Sequence, residues 1–475
     1  MLNNLFAQLD PIINPLSMAV LGASNDPLKW GNWSIFGSLD ASYKGDIFPV
    51  NPKEETILGI KAFPRILDIP ADVDLAVIAL PAPVVKEAML DCVQKKVKGV
   101  VILSGGFSEI GETGNSLQNE ILKIARDHQV RIVGPNTPGM FNSAIGLSVG
   151  VRLKVGPGSI AFISQSGTLS EVMIRKIQAK RCGLSKFIGV GNQADLNSAD
   201  FIEYLGQDPA TGVIVVYSEG FTDARRFVDV ASKVTREKPI IIFKAGRTSV
   251  GKRSALSHTA SLTGDDALFD SICRQVGLLR AYETDHLFVM AEALAKQPLP
   301  AGKRVGIISG GGALCVVLAE QCALLGLDIP LFDEKITADL KKDLAPFAPI
   351  PKNPVDALIG TSTPDIIPRL AEKIIQLPYI DGIIANPSAI LGYSEIKSAA
   401  TKAGEDSIIQ ATEELASLPE RFGKPLIVFV TNPNDTLLDI LMNADIPYYE
   451  TPEECARAMF ALTEYAHFLR STTPP

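Results

Sequence analysis

The chain reads as an α/β protein built from several parallel sheets, and three observations carry that reading. Short Val/Ile/Leu-rich runs end in Gly, Ser, Asn or Pro and are followed by helical periodicity, the pattern of parallel strands buried on both faces. With 475 residues, 46% of them hydrophobic, the chain exceeds what one core holds, so two or three α/β units are expected. The strand-like runs also fall into three groups separated by stretches bearing Gly and Pro.

The first group has runs at 18–23, 46–51, 75–81, 97–106 and 130–136, enough for one doubly wound sheet. A Gly/Pro-bearing stretch at 146–158 follows. The second group runs at 159–167, 185–191, 211–220 and 238–246, then passes into a helical pattern over 265–295. Residues 297–303, with two prolines and a glycine, read as a linker. The third group starts at 304–312 and adds 381–388, 424–432 and 446–451. The expected domains are therefore 1–145, 150–296 and 302–470.

Net charge of −8 and a pI near 5.3 argue against a nucleic-acid or polybasic membrane surface, since both need clustered Lys and Arg, and favour small soluble substrates. The first fifteen residues lack a cationic segment followed by a long apolar core, and later runs fall short of membrane-spanning length, so a cytoplasmic location is expected. The six cysteines are scattered, without CxxC or a metal-ligand rhythm, as expected of reduced core thiols and no structural metal.

Of four histidines, His258 stands apart. It lies in SHTAS, after a strand-like run and a basic loop rich in Gly and Ser, where a mobile imidazole can be presented. His128, His286 and His467 lie in helix-like stretches. Neutral imidazole is a good nucleophile near physiological pH, and its phosphoryl adduct is labile enough to pass the group on. Such an adduct needs helix N-termini to stabilise it and a carboxylate to orient the other ring nitrogen. Glu219, in YSEG at a strand end, is the best-placed carboxylate, and Asp195, in GNQAD, is a second; Glu219 read as an ordinary solvated carboxylate is the alternative.

Two helix starts follow strands and offer free amides to an anion: Ser164, Gln165, Ser166 and Gly167 in SQSGTLS, and Gly311 and Gly312 in SGGG. Either is also readable as a capped helix start. In the first group, VLGASND at 20–26 puts small residues after the first strand, where backbone amides approach a phosphate closely. The second strand ends FPVNPK, and Lys53 there suits an extra phosphate, as in coenzyme A or NADP. LPAP at 80–83, SGGFSE at 104–109 and GPNTPG at 134–139 end further strands facing the same crevice, although each alone is also turn chemistry.

Taken in order, VLGASND, FPVNPK, LPAPVV, SGGFSE, GPNTPG, SQSGTLS, GNQAD, YSEG, KAGRTSVGKRSALSHTAS, ISGGGA, NPVD and IPYYETPEECARAM resemble the NDP-forming acyl-CoA synthetase family (acetate–CoA ligase, ADP-forming), a relative of succinyl-CoA synthetase. The resemblance covers nearly the whole chain. It implies an N-terminal Rossmann-like CoA-binding domain followed by two flavodoxin-like succinyl-CoA synthetase-type domains. It implies an α subunit of an acid–thiol ligase that reversibly converts acyl-CoA, phosphate and ADP or GDP to carboxylic acid, CoA and ATP or GTP, through an acyl phosphate and a phosphohistidine. On this resemblance His258 is the phosphoryl carrier and Glu219 its orienting carboxylate. The helix starts at Ser164–Gly167 and Gly311–Gly312 are the phosphate cradles, and Gly22, Ser24, Lys53, Pro81 and Asn136 line the CoA site. No ATP-grasp region follows the third domain, so nucleotide and Mg²⁺ are expected on a separate ATP-grasp β subunit, in an α2β2 heterotetramer.

Two departures from the family pattern touch specificity. Thr137-Pro138 stands where the acetyl-type branch commonly has Cys-Leu, and Gly310–Ala313 reads GGGA where the family often has GGPG. A rival from another class is a non-catalytic CoA or acyl-CoA sensor of the same fold. A nicotinamide-dependent dehydrogenase is disfavoured, because GxGxxG and an acidic ribose ligand are both missing.

Overall fold

The computed structural model describes residues 5–151, 155–253, 265–358, 363–387, 402–431 and 435–472. It divides into two compact units, Met1–Leu287 and Phe288–Pro475.

In the first unit, α1 (Leu5–Ile13) precedes a five-stranded parallel sheet. Its strands are β1 (Ser17–Leu21), β2 (Asp46–Val50), β5 (Leu75–Ile78), β6 (Gly99–Ile102) and β7 (Arg131–Val133), in the order β2-β1-β5-β6-β7. A small hairpin, β3 (Thr56–Ile57) and β4 (Ile60–Lys61), interrupts the series. Helices α2 (Trp30–Asp40), α3 (Val85–Lys95) and α4 (Glu112–Asp127) make the crossovers. SMAVL, LAVI and GVVI are buried at every position, which is why these strands read as continuous apolar runs instead of alternating ones. The order reverses between β1 and β5, and a crevice is expected beyond the carboxyl ends there.

The second sheet repeats the winding. β10 (Ile160–Ser164), β11 (Leu184–Gly189), β12 (Val213–Ser218), β13 (Ile240–Lys244) and β14 (Leu279–Arg280) run parallel, with α5 (Gly167–Ala179), α6 (Ser198–Gln207), α7 (Ala224–Val234) and α8 (Asp266–Val276). An antiparallel hairpin, β8 (Met140–Asn142) and β9 (Leu147–Val149), extends this sheet beside β11. The expected boundary at 145 thus falls inside a hairpin belonging to the second sheet. One hydrophobic core runs through both sheets, from Leu9, Ile12 and Val20 to Ile163, Leu205 and Val216.

Polar contacts inside that core fix the register between the sheets. Phe6 stacks on Tyr204 at 4.7 Å, Tyr204 Oη donates to Asp10 at 2.9 Å, and Asn142 Nδ2 donates to Asn14 Oδ1 at 2.7 Å. Lys186 and Asp208 form a buried ion pair at 2.7 Å, and Thr211 donates to the same carboxylate at 2.6 Å. Desolvation offsets much of the attraction in a buried pair of this kind, so it is weak evidence for added stability.

The helical stretch expected over 265–295 is broken. Gly277, at φ +77°, ends α8 in a left-handed cap, and Leu279–Arg280 then pairs with β13 before α9 (His286–Lys296) begins. The break has a local cause, since glycine takes that conformation without a Cβ penalty.

In the second unit β15 (Val305–Ser309), β16 (Val355–Asp356), β17 (Gly382–Asn386), β18 (Leu426–Phe429) and β19 (Tyr448–Tyr449) form a parallel sheet in the order β16-β15-β17-β18-β19. Helix α10 (Gly312–Leu324) follows β15. All three sheets therefore share one winding, with the switch point beside their first long strand. Among the described residues, no helix is long and apolar enough to cross a membrane. All six cysteines are free and buried.

Candidate active site

A crevice of about 880 Å³ opens beyond the carboxyl ends of the first sheet. Gly22 and Ser24 after β1, Lys53 after β2, Pro81 after β5, and Asn136 after β7 all line it, together with Ser104 and Gly105 after β6. The five residues expected to line one site are therefore brought to one cavity. Gly22 has φ +86°, and a Cβ there would lie 2.5 Å from Ala79 O, so the turn closes only around glycine. Asn51 ties the first two strand ends: its Nδ2 donates to Ala23 O at 2.8 Å, and its Oδ1 accepts from Lys53 N at 2.8 Å.

The second switch point holds Ser164–Gly167 and Glu219. Ser166 caps α5, its hydroxyl accepting from Leu169 N at 3.3 Å. Gln165 is a latch: its Oε1 accepts from Ser218 Oγ at 3.1 Å, Glu219 N at 2.5 Å and Gly220 N at 3.1 Å. The Gln165 oxygen thus binds the two strand ends together, and an anion at this place is left to the first amides of α5 and the hydroxyls. Glu219 is buried and accepts from Tyr217 Oη at 3.3 Å. Burial first, and then the Glu219 charge, pushes the Tyr217 hydroxyl up, so it stays a donor.

These two places adjoin. A Cβ on Gly167 would lie 3.3 Å from the Pro138 ring, and Pro138 is two residues beyond Asn136. Thr137 between them donates to Gly189 O at 2.5 Å, locking the GPNTPG turn to β11. The turn thus has one end in the crevice wall and the other against the start of α5.

Asp195, the second candidate carboxylate, is already engaged within the described residues. It accepts from Arg131 Nε at 2.9 Å and from Ile132 N at 2.9 Å, an ion pair tying β7 to the loop after β11. The loop after β13 carries His258, which lies outside the described residues. Its described roots are held: Ala245 N donates to Ser218 O at 2.9 Å, beside Glu219, and Arg247 donates to Tyr282 O at 3.0 Å while its guanidinium stacks on that ring at 4.6 Å. Lys244, at the strand end, is buried over Phe269, and burial pulls its ammonium below the ordinary lysine value.

In the second unit Gly311 caps α10, its N–H donating to Ser309 Oγ at 3.3 Å. A Cβ on Gly312 would lie 2.8 Å from Asp356 Oδ2. This helix start already faces a carboxylate, which complements the helix dipole as an incoming anion would. Asn353, in the same NPVD motif, pins the sheet by accepting from Ile307 N at 3.0 Å and donating to Val305 O at 3.0 Å.

Sequence reasoning missed Lys29 and Trp30 at the start of α2, which carry no strand-end mark, and the Arg65–Asp91 pair (2.7 Å), whose place in the crevice wall depends on how the chain returns after the β3–β4 hairpin. It also missed Asn192, whose neighbours in GNQAD drew attention to the aspartate instead. Among the described residues, no group of three His, Cys, Asp or Glu is placed to hold a metal ion.

The fold and site define a class, a coenzyme-binding α/β domain joined to a flavodoxin-like ligase domain. Residues 16–143 match the CoA binding domain family, and residues 157–294 match the succinyl-CoA ligase like flavodoxin domain family. The α subunit of acetate–CoA ligase (ADP-forming) II from Pyrococcus furiosus is 38% identical over 96% of this chain and 98% of its own length. Acetate–CoA ligase (ADP-forming) II from Archaeoglobus fulgidus is 41% identical over 73% of this chain but only 52% of its own length, so the chain spans about half of that longer relative. A solved acetyl-coenzyme A synthetase from Ca. Korarchaeum cryptofilum, in complex with phosphate and ADP, superposes with a TM-score of 0.86 at 31% identity, covering 98% of this chain and 99% of that one. The chain belongs to the family of ADP-forming acetate–CoA ligases, the NDP-forming acyl-CoA synthetases.

Proposed function

We propose that this chain is the α subunit of an NDP-forming acyl-CoA synthetase, an acid–thiol ligase, with CoA held by residues 1–145, the phosphohistidine carried by 150–296 and a second ligase domain in 302–470. The observation that carries the reading is the GPNTPG turn, which joins the crevice at Asn136 to the start of α5 at Gly167. A thioester whose coenzyme fills the crevice would have its reactive end at that turn, beside amides suited to phosphate.

In the proposed sequence, phosphate attacks the acyl carbonyl, the C–S bond breaks, and acyl phosphate and CoA thiol result. His258 then attacks phosphorus and releases the carboxylate, and the phosphoryl group passes to ADP or GDP. Glu219, held by Tyr217 and the Gln165 latch, would orient the imidazole. The α5 start, with Ser164, Ser166 and Gly167, would hold the phosphoryl oxygens, and Gly311 and Gly312 would form a second cradle in which Asp356 must give way. A small carboxylic acid or its acyl-CoA is the substrate class. The Archaeoglobus relative's additional length and the α-subunit naming of the Pyrococcus relatives support a partner, proposed as an ATP-grasp β subunit in an α2β2 assembly that binds nucleotide with Mg²⁺. The enzyme relatives in the family disfavour a CoA sensor.

The test is to incubate the chain, with and without its candidate partner, with acyl-CoAs and labelled phosphate, and to seek acid-labile, base-stable label on His258. We expect His258→Ala to abolish labelling and turnover while CoA affinity changes less than about twofold. Turnover at the wild-type rate by that variant, with its partner present, would remove the phosphocarrier role.

A further inference from the structure

Behind Asn136 lies a chain of hydrogen bonds that the site described above does not use. Glu109 Oε1 accepts from Gly106 N at 2.5 Å and Phe107 N at 3.1 Å. Glu109 Oε2 accepts from Asn192 Nδ2 at 2.6 Å. The same Nδ2 lies 3.1 Å from Gln118 Oε1 and 3.2 Å from Ser108 Oγ, so its surroundings are oxygen atoms. On the other side, Asn192 Oδ1 accepts from Asn136 Nδ2 at 3.3 Å. A Cβ on Gly105, itself in the crevice wall, would lie 3.1 Å from Asn136 Oδ1 and 3.2 Å from Glu109 Oε1.

The direction of this chain follows from one fact. An ionised carboxylate only accepts, whereas an asparagine amide turned by half a circle exchanges its donor and acceptor ends. Glu109 therefore requires the NH₂ of Asn192, the remaining oxygen of Asn192 requires the NH₂ of Asn136, and Asn136 is left with its oxygen beside Gly105. Burial alone would raise the Glu109 carboxyl, but hydrogen bonds from Asn192, Gly106 and Phe107 outweigh it and hold that carboxyl below its ordinary value, so it is charged at neutral pH.

We infer that Glu109 is a positioning residue that acts through Asn192 to present Asn136 to the crevice as a hydrogen-bond acceptor, selecting a donor on the bound coenzyme. The donors that coenzyme A carries at its reactive end are the pantetheine amide N–H groups and the thiol S–H. The inference rests on the crevice being the CoA site. The neutral isostere E109Q reverses the relay: the new side-chain amide turns its oxygen to the two backbone amides and its NH₂ to Asn192, which then turns its own NH₂ toward Asn136.

The experiment is titration calorimetry of coenzyme A into the full chain for the wild type, E109Q, N136A, E109Q/N136A and E109Q/N136D. We expect E109Q to weaken binding about tenfold, the loss of one well-placed hydrogen bond together with an opposed donor. The double variant E109Q/N136A should bind no more weakly than N136A alone, because the relay has nothing left to orient. E109Q/N136D should recover most of the loss, since Asp accepts from the reversed Asn192 and still offers an oxygen to the crevice. A merely structural Glu109 would give E109Q losses that persist in the N136A background, and that result, or E109Q binding like the wild type, overturns the relay. Should E109Q fail to fold, Asn192→Leu breaks the relay at its middle; unchanged CoA affinity in that variant overturns it equally. A wild-type chain without affinity for coenzyme A overturns the crevice assignment and the relay with it.

Discussion

Lys53 illustrates how a single side chain gains meaning from its place at a strand end. Its backbone is fixed by Asn51, and the residue is exposed while lining the crevice. Coenzyme A differs from dephospho-coenzyme A by one phosphate, and one charge-assisted contact contributes about 1.5–3 kcal/mol. Lys53→Ala should therefore weaken coenzyme A about tenfold or more and leave dephospho-coenzyme A within about twofold. Equal losses for both ligands would show that Lys53 serves the wall and not the phosphate. Residues of this kind were legible because a lysine, a glycine with positive φ or a histidine after a basic loop departs from what a strand end otherwise contains. Glu109 and Asn192 carried no such mark. Their importance lies in which atom faces which, and the 83-residue separation between them hides that from any reading of spacing.

At the scale of elements, the two helix starts differ in what satisfies them. Ser166 caps α5 with its hydroxyl, Gly311 caps α10 with no side chain, and Asp356 supplies a carboxylate against α10 from a neighbouring strand. Ser166→Ala should cost about 1 kcal/mol of stability, the usual loss for a serine cap. Urea unfolding of the isolated chain measures it, and a midpoint unchanged within error would mean that the α5 amides find another acceptor. The long strands were readable from the apolar runs, as were the helices that follow β1, β6 and β10. The division of residues 265–295 was not, because the edge strand β14 is only two residues long and is stabilised by its neighbour β13 and not by its own composition. The β8–β9 hairpin was hidden for the same reason: strands of three residues gain their meaning from the sheet that accepts them.

For the whole molecule, the division into two units cuts differently from the three-sheet winding. Sheets one and two share a core and the Asp10–Tyr204–Asn14–Asn142 network, and every residue lining the crevice lies between Leu21 and Asn136. A fragment spanning residues 1–287 should therefore fold cooperatively and bind coenzyme A within about threefold of the full chain, as read by thermal unfolding and calorimetry. Loss of binding in a folded fragment would place part of the site in residues 288–475. The amino-acid sequence by itself determined the α/β class, the repetition of a strand–turn–helix unit, and the residue types at strand ends, because burial on both faces and phosphate-compatible turns impose local composition. Only the tertiary structure decided that Gln165 is a latch, that Asp195 belongs to Arg131, that Asp356 faces α10, and that Glu109 reaches Asn136 through Asn192. Those are choices among polar partners. Many residues offer the same hydrogen-bonding groups, and only the packing of sheets and helices determines which of them meet.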